Sequence, residues 1–154
     1  MFSFTRKTNY GLVALARLAQ QLAAEGEPLS ARQIADEYKL PVSLLMNVLK
    51  DLQRGGVIES TRGARGGYYL AHSPDRVSVA DVILAIEGPI RITPCAGADP
   101  AEGKTADCHV DNCPIASSIQ KLHDRLHGFL QDVTLEDLIA SEVDEPTYPV
   151  AART

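Results

Sequence analysis

Hydrophobic spacing in this 154-residue chain predicts a mainly α-helical fold with one small β-hairpin. Apolar residues recur three and four positions apart in several stretches, the period of one helix face. Two short runs, residues 57–60 and 68–71, carry β-branched and aromatic residues on either side of a glycine-bearing turn, the pattern of a hairpin. No apolar stretch approaches the roughly 18 residues of a membrane span. The longest near the start, from Tyr10 to Ala16, is interrupted by Arg17, and it makes a poor secretory signal.

The elements follow in order. Leu12, Leu15, Ala16, Ala19, Leu22 and Ala23 share one face and predict a first helix, which Glu25, Gly26, Glu27 and Pro28 break. Ser30 and Gln33 form a capping-box pattern, the hydroxyl accepting from the third amide while Gln33 reaches back. The short helix they open is expected to bury Ile34, Ala35 and Tyr38. Residues 40–43 turn the chain, and a third helix runs from Pro41 or Val42 to Arg54 with Leu45, Val48, Leu49 and Leu52 on one face. Gly55 and Gly56 end it, since glycine readily adopts the left-handed conformation that closes a helix. The hairpin follows, its turn at residues 61–67 holding Arg62 and Arg65 and no acid, and Ser73, Pro74 and Asp75 close the unit.

Ser78 caps a fourth helix with Val79, Val82, Ile83 and Ile86 apolar, stopped by Gly88 and Pro89. Residues 93–112 read as a long irregular loop, a feature that is usually functional or disordered. Cys113 and Pro114 start the next helix, whose Ile115, Ile119, Leu122, Leu126, Phe129 and Val133 make the narrow seam of a helix packed lengthwise on another. Residues 114–131 would span roughly 27 Å. Thr134 caps a last short helix with Leu135, Leu138 and Ile139, and the chain beyond Val143 is expected to be loose.

Three helices followed by a hairpin, with a short turn between the second and third, is the order of a winged helix-turn-helix. The third helix sets Ser43, Asn47, Lys50 and Arg54 opposite its core stripe, with Leu44 and Met46 flanking. Such a face fits a major groove, where Ser and Asn meet base edges and Lys a phosphate. The hairpin tip suits the adjacent minor groove: Gly63 lets backbone approach closely, and Arg62 or Arg65 can insert where the negative potential is enhanced. The organisation expected is a DNA-binding domain over residues 1–76, a cysteine-loop sensor with dimerisation helices over 77–142, and a flexible tail over 143–154.

Charge is distributed in the same sense. The chain carries a formal net charge of −5, which at face value argues against a polyanionic partner. Residues 1–76, however, hold 10 Lys and Arg against 7 Asp and Glu, a net of +3, while residues 77–154 hold 5 against 13, a net of −8.

Three cysteines are an odd number, against a secreted disulfide framework and in favour of a cytoplasmic protein. Cys95 and Cys108 are separated by 12 residues, and Cys108 and Cys113 by 4. Thiolates hold zinc or iron–sulfur clusters well, and His109 adds a nitrogen donor. From spacing alone, zinc, an iron–sulfur cluster and unligated redox-reactive thiols all remain open. His123 and His127 stand four apart in a segment that superficially resembles a zincin motif, yet Asp124 is too short for the glutamate base. Exposed or interface imidazoles are expected there. No catalytic triad, phosphate-binding loop or dinucleotide fingerprint occurs, so the chain does not read as an enzyme.

Several stretches carry a resemblance: Thr8-Asn9-Tyr10-Gly11, residues 29–35 and 55–63, Gly66 to Leu70, Ala85 to Pro89, and residues 126–135. Together they resemble the Rrf-type family of winged-helix transcription regulators, whose best-known members, IscR, NsrR and RirA, respond to iron–sulfur clusters, nitric oxide or iron. The resemblance covers roughly residues 3–140. It implies that Ser43, Leu44, Met46 and Asn47 read the major groove of a double-stranded operator and that Arg62 is the minor-groove wing arginine. Leu44 and Met46 are less polar than in the best-known cluster regulator, so no particular operator sequence is implied. The resemblance further implies a homodimer, a repressor in the first instance, and a 2Fe–2S or 4Fe–4S cluster held by Cys95, Cys108 and Cys113.

This chain departs from the family around that cluster. The interval between the first two cysteines is longer, with an insertion around residues 99–104. Some members place a histidine three residues after the last cysteine, where this chain has Ala116, and others take an acid from the partner's first helix, where it has Asn9. The fourth-ligand candidates are therefore His109, Asp107, Asp111, a residue near Asn9 of the partner subunit, or solvent. A zinc-containing or cluster-free winged-helix regulator is the alternative, as is a protein-interaction module of the same fold.

Overall fold

The computed structural model describes residues 4–93 and 113–140. Its element order is α1 (Arg6–Ala23), α2 (Ala31–Tyr38), α3 (Val42–Arg54), β1 (Ile58–Thr61), β2 (Gly67–Leu70), a 3-10 turn (Pro74–Arg76), α4 (Val79–Glu87), α5 (Ala116–Asp132) and α6 (Leu135–Ala140). The mainly helical fold with a hairpin is thus as expected, and the strands lie one residue from their expected ends. The two strands pair antiparallel from Ile58↔Leu70 to Thr61↔Gly67.

Helix ends follow local chemistry. The Ser30 hydroxyl accepts from the Gln33 amide at 3.2 Å, and Gln33 Oε1 accepts from the Ser30 amide at 2.8 Å. Ser78 and Asp81 repeat this box at α4. At α6, Asp137 Oδ2 accepts from the Thr134 amide at 2.8 Å and from its hydroxyl at 2.7 Å. Those two bonds hold the Asp137 carboxyl below its ordinary value, the backbone bond contributing most.

The core is built on α3, whose Leu45, Val48, Leu49 and Leu52 are fully buried, as the spacing predicts. Against them pack Leu15 and Leu18 of α1, Ile34 and Ala35 of α2, Ile58 and Leu70 of the hairpin, and Val77, Val82, Ile86 and Leu135 from the second half. A smaller cluster joins Val79, Ala80 and Ile83 of α4 to Leu130 of α5.

The buried face of α1 is displaced from the expected one. Thr8, Gly11, Ala14, Leu15, Leu18 and Ala19 are buried, whereas Leu22 is 50% exposed and Ala23 is exposed. The phase is set by Gly11: a Cβ there would lie 2.4 Å from Ile86 Cδ1, so α1 and α4 touch at a residue that carries no apolar weight in the pattern. Tyr38, expected inside, is 38% exposed at the end of α2. Leu138 and Ile139 of α6 are likewise outside, at 45% and 36%. Only Val133 and Thr134 separate that helix from α5, and it buries only Leu135 against the winged-helix core.

Helix α5 begins at Ala116 rather than at Cys113 or Pro114. Its 17 residues span about 26 Å at 1.5 Å each. It faces α4 through His123 and Leu130, the two residues it buries, while Ile115, Leu122 and Phe129 of the seam are 52–57% exposed. No helix among the described residues is long and apolar enough to cross a membrane.

Candidate nucleic-acid interface

Burying Leu45, Val48, Leu49 and Leu52 leaves the opposite face of α3 outside. Ser43, Met46, Asn47 and Lys50 are exposed there, and Leu44 is half-buried. Ser43, Asn47, Lys50 and Arg54 fall three and four residues apart and so form one stripe along the helix. Beside it a groove of about 620 Å³ is lined by Ser30 and Arg32 from the start of α2, Val42 and Met46 from α3, and Ser60, Thr61 and Gly63 from the hairpin. Arg32, Ser60 and Thr61 were not singled out from the sequence. An arginine at the second position of the capped helix is the signal that marks Arg32; nothing local marks the two wing hydroxyls.

The wing is fixed at its base. Gln53 of α3 donates to Ser60 Oγ at 3.0 Å. Tyr68 exchanges backbone bonds with Leu29 at 2.8 and 3.1 Å, adding residue 29 to the hairpin edge. Gly67 permits this approach, because a Cβ on it would stand 2.6–2.9 Å from the Leu29 backbone. Across the strands Tyr69 donates to Glu59 at 2.6 Å. That bond to a carboxylate raises the Tyr69 phenol above its ordinary value.

The two wing arginines differ. Arg65 Nη1 lies 3.2 Å from Glu27 Oε1. Arg62 makes no ion pair among the described residues, nor do Lys50 and Arg32. Three uncompensated cations therefore surround the groove and the α3 stripe, one each from α2, α3 and the wing.

Of the three cysteines, Cys113 is half-buried and free in the turn that leads into α5, its carbonyl accepting from the Ala116 amide at 3.3 Å. Cys95 and Cys108 lie outside the described residues, as do His109, Asp107 and Asp111 and the expected loose tail. Among the described residues no three His, Cys, Asp or Glu side chains converge on a metal site. The donor chemistry at Cys113 fits a thiolate-held group, a free half-buried thiol being a ligand type that zinc and iron–sulfur clusters take. Asn9 is exposed in the first turn of α1.

His123 departs from expectation. It is 8% exposed, and its Nε2 lies 2.9 Å from the Ile90 carbonyl oxygen, so it is an interior polar group rather than a surface imidazole. His127 is half-buried, its ring 6.2 Å from that of His123.

Comparison with known proteins matches this arrangement. The family model described as Rrf2, iron-dependent transcriptional regulator, matches residues 4–141. An rrf2-like HTH-type transcriptional regulator of Rhodobacter capsulatus is 32% identical over 139 residues, covering 89% of this chain and 92% of that protein. Among solved structures, IscR of T. potens superposes with a TM-score of 0.66 at 27% identity, over 90% of this chain and 86% of that one. CymR, the global cysteine regulator of B. subtilis, gives 0.64 at 27% identity, over 90% and 97%. With the family match running from the start of α1 to the end of α6, the chain belongs to the Rrf2 family of transcriptional regulators, which are not enzymes.

Proposed function

We propose that this regulator binds operator DNA as a homodimer and that an iron–sulfur cluster held by Cys95, Cys108 and Cys113 controls its affinity. The observation that carries the DNA-binding part is the convergence of Arg32, Met46 and Gly63 on one groove beside the exposed α3 stripe. Ser43 and Asn47 meet base edges, Lys50 and Arg32 meet phosphates, and Arg62 enters the minor groove while Gly63 lets the wing backbone follow it. Leu44, half-buried, and Met46 bring apolar contact to the same face. Arg65 contributes less, being held by Glu27.

The exposed Ile115, Leu122 and Phe129 of α5 supply an apolar face for a second copy. A two-fold dimer sets two α3 helices about 34 Å apart, or a multiple of that, on a near-palindromic site.

Likeness to IscR supports the cluster, as does the free thiol of Cys113 in the turn before α5. A bound cluster supplies a centre that assembles and decays with iron supply and oxidation. The chain's own part is to hold it beside the dimer helix, so that one dimer geometry is favoured over the other. An anaerobic absorption spectrum with iron, sulfide and zinc quantification tests the ligand set. Cys108→Ala is expected to abolish the visible chromophore and change operator affinity. Unchanged DNA binding after cluster loss contradicts cluster control, and stoichiometric zinc without sulfide identifies the zinc-containing alternative.

A further inference from the structure

Two polar side chains among the described residues are buried, Thr8 at 0% and His123 at 8%. They belong to different helices at opposite ends of the chain, and both bond the same short segment, Glu87 to Ile90, which leads from α4 toward the cysteine loop. On one side Glu87 Oε1 accepts from the Thr5 hydroxyl at 2.7 Å, from the Thr5 amide at 3.4 Å and from the Thr8 hydroxyl. On the other, the Ile90 carbonyl meets His123 Nε2 at 2.9 Å. A carbonyl only accepts, so His123 carries a proton on Nε2 and donates it.

Only Gly88 and Pro89 separate Glu87 from Ile90, so the connection between the anchors is short. Gly88 sits at φ +87°, ψ −167°, a conformation that side-chain-bearing residues avoid, and Pro89 fixes its own φ. Burial makes each anchor expensive to lose, since an unpaired interior polar group costs more than the bond contributes when made. A shift of α5 relative to α4 therefore pulls on Ile90, and so short a connection passes it to Glu87 and the first turn of α1.

We propose that residues 87–90 form a strap that mechanically joins α5 to the amino end of α1, with His123, Glu87 and Thr8 as positioning residues that transmit helix movement into the DNA-binding half. The proposal rests on the reading of α5 as the dimer helix, and it adds the route by which dimer geometry reaches the operator-binding face.

The test uses amide hydrogen exchange on the full-length protein prepared without iron. The readout is the Asn9 amide, which donates to the Thr5 carbonyl at 3.1 Å in the first turn of α1. The reference is the Ile34 amide of α2, which donates to the Ser30 carbonyl at 3.3 Å. His123→Leu removes the donor and is expected to speed Asn9 exchange about fivefold, one hydrogen bond's worth of local opening, while Ile34 is unchanged. His123→Gln, whose amide nitrogen can occupy the Nε2 position, is expected to restore the wild-type rate. Should His123→Leu fail to fold, His123→Asn, too short to reach Ile90, takes its place. Wild-type exchange at Asn9 in the donor-less variant overturns the strap, and so does equal acceleration at Asn9 and Ile34, which is global loosening. A second arm compares operator affinity with and without the cluster: His123→Leu is expected to keep the chromophore and lose most of the affinity change. If the wild type itself shows no such change, the cluster reading fails, while the exchange result still decides the strap.

Discussion

Replacing each wing arginine by alanine separates the two residues that sequence alone treats as equivalents. Arg62 has no ion pair among the described residues, so on the proposed reading Arg62→Ala removes a full DNA contact. Such a contact is worth about 1–3 kcal/mol, roughly 5- to 150-fold in affinity. Arg65 is 3.2 Å from Glu27, with side chains 85% and 65% exposed. An exposed pair of this kind contributes about 0–1 kcal/mol, and it holds the Arg65 guanidinium at Glu27 rather than at a phosphate. Arg65→Ala should therefore weaken binding less than about threefold, whereas Glu27→Ala, which frees Arg65, should strengthen it by up to about fivefold. Fluorescence anisotropy on a duplex selected by the wild-type protein, titrated between about 50 and 200 mM salt, reads both affinity and charge. Arg62→Ala should flatten the slope of log K against log salt by about 0.9, and Arg65→Ala should leave it nearly unchanged. An Arg65→Ala variant as damaging as Arg62→Ala, with the same loss of slope, refutes the assignment.

Three further outcomes follow from the geometry. Burial pushes the Glu87 carboxyl up, but the bonds from Thr8 and Thr5, with Lys7 nearby, outweigh it and leave it below the ordinary carboxylate value. Its stabilisation is then present above the unfolded value near ~4.3 and is lost as pH falls through the lower folded one. The Tm gap between wild type and Glu87→Gln should close on acidification, and a gap constant from neutral to strongly acidic pH contradicts this. Gly67→Ala should cost about 1–3 kcal/mol in urea unfolding, because its Cβ meets the Leu29 backbone, which cannot rotate away; a neutral result refutes the tight wing anchor. Phe129→Asp on the exposed face of α5 should halve the sedimenting mass with helicity retained, and a persistent dimer places the interface elsewhere.

Most of the fold was legible because α2, α3 and α4 have strong apolar periodicity, and α2 and α4 add capping residues that act locally. Ser30 and Gln33, or Ser78 and Asp81, need no knowledge of the rest of the chain. The phase of α1 was not legible, since it turns on Gly11 and Thr8, one without a side chain and one polar, both placed by contacts with α4. The exposed stripe of α3 was readable for the same reason its core was, one face implying the other. The pairing of Arg65 with Glu27, the addition of Arg32, Ser60 and Thr61 to the groove, and the burial of His123 depend on segments tens of residues apart. Their partners meet only in the folded chain. Net charge was a poor guide because it averages two unlike halves, the acids concentrating in the sequence after residue 76.

Cluster control of DNA binding is tested most directly by titrating one anaerobic preparation against the selected duplex before and after chelation of its iron, with iron and sulfide measured on the same samples. An affinity that shifts in proportion to cluster content, with the shift abolished in Cys108→Ala, is the expected result. The same affinity at every cluster content, or a preparation that holds no iron and sulfide, contradicts it.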